Sequence, residues 1–156
     1  MNTSKKILPS EFDEIFKTTL PEVFVERCAN EPFEYFSISN EERDNYLLDI
    51  TRTLLKENIV SAGEHRFNDW ENGWSENLKL LNIHDVANAL IPKYYGKHPY
   101  SRWKQQIIKP VSSEFDYHIL AFLVDWALYT YARDAKYIFE FGCGPACHLL
   151  RARSIN

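Results

Sequence analysis

Residues 137–156, YIFEFGCGPACHLLRARSIN, carry the sharpest change of pattern in the chain. Tyr137–Phe141 sets aromatic and β-branched side chains around one acid, the composition of a short strand. Gly142 and Gly144 then flank the small Cys143, and Ala146 supplies another small residue before the apolar helical start His148-Leu149-Leu150. A strand that enters a helix through residues without bulky side chains lets a ligand approach the backbone. The helix start adds free N–H groups and positive potential.

In that context FEFGCGPA resembles motif I of the class I S-adenosylmethionine-dependent methyltransferases, a hydrophobic strand and an acid followed by Gly-x-Gly-x-Gly or a close variant. Glu140, Gly142, Gly144 and Ala146 fall on the motif positions, and Pro145 is a familiar occupant there. The dinucleotide fingerprint fits less well, because Cys147 stands where its third small residue belongs. The resemblance implies that Gly142, Cys143, Gly144 and Ala146 form the turn beside S-adenosylmethionine. The backbone of 142–144 would line the methionine portion of the cofactor, and Glu140 would hold its amino end directly or through water. It implies a small-molecule or sugar-type methyl acceptor and names no catalytic base.

Upstream of the turn, most segments read as helix. Ser10 with Asp13, and Ser39 with Glu42, have the spacing of capping boxes. Helices are expected near 10–20, 21–29 and 40–58, with Pro21 at a helix start. The second capping box opens an apolar stripe of Tyr46, Leu47, Ile50, Leu54 and Leu55. Phe67, Trp70, Trp74, Leu78 and Leu81 predict a helix over 64–81, and a short helix near 83–90 would end before Pro92.

Residues 92–110, PKYYGKHPYSRWKQQIIKP, hold three prolines, five Lys or Arg and no Asp or Glu, which predicts a loop-rich basic connector. Ser112 and Ser113 can then cap a helix through about 131 that is apolar on nearly every side and so needs burial.

The expected fold is therefore mainly α. A helical N-terminal region, 1–111, leads into the start of a Rossmann-like methyltransferase domain, 112–156. Only Arg151–Asn156 follow the last helical start, whereas a parallel neighbour needs a crossover of a dozen or so residues. On this reading the chain is the N-terminal part of a longer methyltransferase, with little or no catalysis of its own. The unpaired strand offers a contact for a homo-oligomer. The alternative is a non-enzymatic helical interaction or scaffold module whose tail only resembles motif I.

Composition bounds the partners. The chain has 156 residues, 45% hydrophobic and 26% charged, with a net charge of −4, so one globular domain is expected and general nucleic-acid binding is not. Three cysteines without regular spacing and no apolar leader point to the cytoplasm. The apolar run 117–131 is too short to span a bilayer and contains Asp125.

Other clusters read more plainly as structure than as sites. Cys143, Cys147, His148 and His118 lack zinc-ligand spacing. Glu64, His65, Asp69 and Glu71 suit a polar helix face. Arg102 and Lys104, among Tyr94, Tyr95, Tyr100 and Trp103, suit a solvated loop better than a phosphate grip.

Overall fold

The computed structural model describes residues 3–56, 67–80, 99–141 and 147–155. Six helices appear among them: α1 (Pro9–Phe16), α2 (Glu22–Asn30), α3 (Asn40–Lys56), α4 (Phe67–Leu80), α5 (Phe115–Tyr131) and α6 (Cys147–Ile155). Most of the described chain is helical, as expected. The helix expected near 83–90 lies outside the described residues.

The first helix is shorter than its periodicity suggests. Pro9 opens α1, and Glu11, rather than Ser10, caps it by accepting the Leu8 N–H at 3.2 Å. Lys17 closes it in the left-handed region at φ 56°. Asp13 instead accepts the Leu20 N–H at 2.8 Å, folding the loop back toward α2. The cap before α3 is as the spacing predicts: Ser39 Oγ accepts the Glu42 N–H at 3.0 Å.

A four-stranded antiparallel sheet was not expected. Its strands, β1 (Lys5–Lys6), β2 (Glu34–Ser37), β3 (Ser101–Trp103) and β4 (Gln106–Pro110), lie in the order β1-β2-β4-β3. Tyr35 stands opposite Pro110 and Ser37 opposite Ile108. The described part of the basic connector, 99–110, is thus a hairpin and not a loop. Lys104 takes its first turn position at φ 52°, a conformation ordinarily supplied by Gly or Asn. Its Nζ reaches Glu14 on α1 at 2.6 Å and Glu11 at 3.5 Å, anchoring the turn to a helix.

The sheet and helices share one core. Ile7, Phe12, Phe24, Cys28, Phe33, Ile108, Phe115 and Phe122 are among its buried members, drawn from both sides of residue 111. Phe122 is the hub, with the rings of Phe12, Phe24 and Phe33 at 4.4, 5.5 and 5.5 Å. Phe16 stacks flat on Trp126 at 3.7 Å. Edge-to-face and stacked pairs of this kind add about 0.5–1.5 kcal/mol each beyond simple area burial.

Two segments differ from their sequence patterns. On α3 the stripe is open, with Leu47, Ile50, Leu54 and Leu55 exposed; among the described residues Tyr46 meets the ring of Tyr100 at 4.4 Å. The expected strand 137–141 is also absent, because no segment among the described residues pairs with it. Its exposure still alternates as a strand's would. Tyr137, Phe139 and Phe141 are 94, 88 and 94% exposed, whereas Ile138 and Glu140 are half-buried.

Candidate functional site

The apolar run of α5 brings one acid into the interior. Asp125 is 5% exposed, and its carboxylate is held from two other helices. Arg27 Nη1 of α2 donates to Oδ2 at 2.6 Å, while Arg151 of α6 grips both oxygens, Nε to Oδ1 and Nη2 to Oδ2, at 2.8 Å each. A planar guanidinium matches a carboxylate in this two-point geometry, which a lysine cannot reproduce.

The cluster closes into a ring. Arg27 Nε also donates to Glu31 at 2.7 Å, and the other Glu31 oxygen lies 2.6 Å from His118 Nδ1. Tyr117, next to His118, accepts from Arg151 Nη1 at 3.1 Å. Two arginines and two carboxylates balance in charge, so each is compensated and the ring fastens α2, α5 and α6 together. Mutual satisfaction of this kind makes the ring a structural clamp rather than a reaction centre.

One turn before Arg151 on the same face of α6, His148 meets Glu140, its Nδ1 2.6 Å from Glu140 Oε1. The second oxygen, Oε2, is buried and, among the described residues, has no hydrogen-bond partner. A buried acceptor in that state costs about 1–3 kcal/mol, more when ionised, so it is a group for which a donor is wanted.

Of the residues that the motif resemblance implicates, Glu140 is therefore placed: its side chain is 19% exposed, between the aromatic segment and α6. Gly142, Cys143, Gly144 and Ala146 lie outside the described residues, as does Pro145. Helix α6 begins at Cys147, one residue before the helical start His148-Leu149-Leu150 that the sequence predicts. In chemical type, an ammonium group is a donor that would satisfy this oxygen.

The remaining candidates are dispersed. His118 is engaged by Glu31 and Glu114, and among the described residues no group of three His, Cys, Asp or Glu could hold a metal. Arg102 donates to the Lys104 carbonyl at 3.0 Å and to Gln105 at 3.2 Å, and Lys104 is bound to Glu14 on α1, so both side chains are engaged within the protein. Trp103 is buried and donates to Glu11 at 3.0 Å. Tyr100 donates to Glu42 at 2.8 Å, and that bond raises its phenol pKa above the ordinary value. Glu71 is exposed on α4; Tyr94, Tyr95, Glu64 and His65 lie outside the described residues, and the Asp69 side chain is not described.

Sequence reasoning missed the Asp125 ring. The available signal was an acid inside an apolar helix, which needs a cation when buried; nothing in the spacing pointed to Arg27 or Arg151. No helix among the described residues is long and apolar enough to cross a membrane. Comparison with protein-family models, curated proteins and solved structures gave no match.

Proposed function

We propose that this chain carries the opening βα unit of an S-adenosylmethionine-dependent methyltransferase. In this reading Tyr137–Phe141 is the first strand of a Rossmann-like sheet, and the turn Gly142–Ala146 borders the cofactor. The carboxylate oxygen of Glu140 carries the reading, because it sits at the motif's acidic position and lacks a donor among the described residues.

The bound cofactor would supply an electrophilic methyl group on its sulfonium. The role of this chain's residues is to hold and orient: Glu140 accepts from the amino end, and the glycine-lined backbone leaves room for the methionyl portion. The methyl acceptor, of small-molecule or sugar type, would be met by other parts of the protein, and no residue here is assigned as its base.

The uncovered face of Tyr137, Phe139 and Phe141 is what a first strand shows before its second helical layer and neighbouring strands are added. The same open segment is also the contact through which two copies would associate.

One measurement tests this. Calorimetric titration with S-adenosylhomocysteine is expected to show binding that Glu140→Ala weakens about tenfold. Unchanged affinity in that variant would remove Glu140 from the site.

The exposed apolar face of α3 favours a second reading, a helical module whose work is to bind another protein. It predicts no response to the nucleoside.

A further inference from the structure

Among the described residues, only two stretches leave three or more large apolar side chains open. One is α3, through Leu47, Leu54, Leu55 and their neighbours; the other is Tyr137–Phe141, through its three rings. Both keep that exposure in the single chain, so neither covers the other there. Open apolar groups gathered in this way mark a contact with another molecule.

The two surfaces match in length. Residues 137–141 alternate as a strand does, so at ~3.3 Å per residue the outward rings span ~13 Å. Leu47 and Leu55 lie eight residues apart on a helix rising ~1.5 Å per residue and span ~12 Å, with Leu54 on the same side. A row of three rings thus has a leucine row of equal length to lie on. Area sets the strength: three aromatic side chains bury roughly 450–750 Å² together, against about 800 Å² per partner in an interface of standard size. That places the contact at the lower end of specific interfaces and selects reversible association over a permanent dimer.

We infer that the aromatic segment of one copy docks on the leucine face of α3 in a second copy of this chain. The inference rests on the association contact proposed above, to which it adds the receiving surface, and not on the cofactor. Titration with S-adenosylhomocysteine reads the cofactor reading separately, so either can fail while the other stands.

The test is sedimentation velocity of the 156-residue chain from about 10 to 500 μM, a range suited to a contact of this size. Phe139→Ser with Phe141→Ser removes the rings, and Leu47→Gln with Leu54→Gln removes the leucines while keeping good helix formers on α3. Each variant alone is expected to stay monomeric, its affinity weakened at least about thirtyfold. An equimolar mixture is expected to regain the dimer, because the first variant keeps its leucine face and the second its rings. Leu47→Met with Leu54→Met, which keeps the face apolar, is expected to associate like the unsubstituted chain.

A mixture that stays monomeric overturns the inference. Association that survives in either variant alone does so too: in the α3 variant it would mean ring against ring, and in the ring variant a contact made without the aromatic segment. An unsubstituted chain that is monomeric at the top of the concentration range overturns it as well. Far-UV circular dichroism checks that the variants keep their helices. If the paired glutamines unfold α3, Leu55→Gln replaces them, since that side chain is 80% exposed and contributes little to the fold; it is expected to weaken association and to be rescued by the ring variant in the same way.

Discussion

Arg151 and Asp125, 26 residues apart, form a two-point ion pair at 2.8 Å that fastens the last described helix to the longest apolar one. Asp125 is also the partner of Arg27, so removing it takes a carboxylate from two arginines, whereas removing Arg151 leaves the acid one arginine. Breaking a buried pair costs about 3–5 kcal/mol; because both guanidiniums keep some contact with water, about 2–4 kcal/mol is expected for Asp125→Ala and clearly less for Arg151→Met. Urea denaturation of the two variants checks the order. Equal losses would mean that Arg27 contributes nothing to holding Asp125.

Cys28 is buried in the core, and burial pushes its thiol from the ordinary 9.0 up to about 11. The folded pKa is raised, so the stability that Cys28 contributes is complete below pH 9 and drains away as the pH rises toward 11, where the unfolded thiol ionises and the folded one does not. The loss is on the order of 2 kcal/mol across that window. Denaturation midpoints measured from pH 8 to 11 should fall more steeply for the unsubstituted chain than for Cys28→Ala. In the native protein below pH 9, peptide mapping after alkylation should find Cys28 unlabelled.

At the end of α1, Lys17 adopts φ 56° and ψ 33°. A side chain there costs about 1 kcal/mol that glycine avoids, and among the described residues Lys17 makes no ion pair that its removal would forfeit. Lys17→Gly is expected to stabilise the protein by about 0.5–1 kcal/mol, read as a rise in Tm. The same change at Lys104 should gain nothing, because there the lysine is bound to Glu14. A fall in Tm for Lys17→Gly would show that the turn is not strained.

Phe139 and Phe141 are the largest apolar groups left open near the turn, at 88 and 94% exposure. An unpaired segment bearing such side chains promotes association. Sedimentation at increasing concentration should show self-association that Phe139→Ser with Phe141→Ser abolishes, while folding stability stays within about 0.5 kcal/mol. Persistent association in that double variant would move the contact elsewhere, the open face of α3 being the next place to examine.

What could be read in advance follows from how local each feature is. Ser39 caps α3, and the Ser112 hydroxyl accepts from Glu114 just before α5, because a hydroxyl satisfies N–H groups two or three residues away. The hairpin 101–110 stayed hidden for the opposite reason. Its turn, Lys104-Gln105, lacks Asn or Gly, and its geometry is secured by carboxylates some 90 residues earlier. Strand β1 is two lysines, whose pairing with Tyr35 and Glu34 no propensity suggests.

The aromatic segment 137–141 shows the limit from the other side. Its alternation was legible and persists in the exposure of its side chains, but a strand exists only as one half of a ladder. In the candidate site, Glu140 could be named from the motif, while the roles of His148, Arg151 and Asp125 depend on distances that no local pattern encodes.

The placement of the indoles has a practical consequence. Trp103 lies against Phe12 and Trp126 against Phe16, both shielded from water, whereas Trp74 is 41% exposed on α4. Fluorescence from this chain therefore mixes core emission with surface emission. A red shift during denaturation would report the parting of Trp103 and Trp126 from their phenylalanine neighbours, giving an optical signal for core opening without any added label.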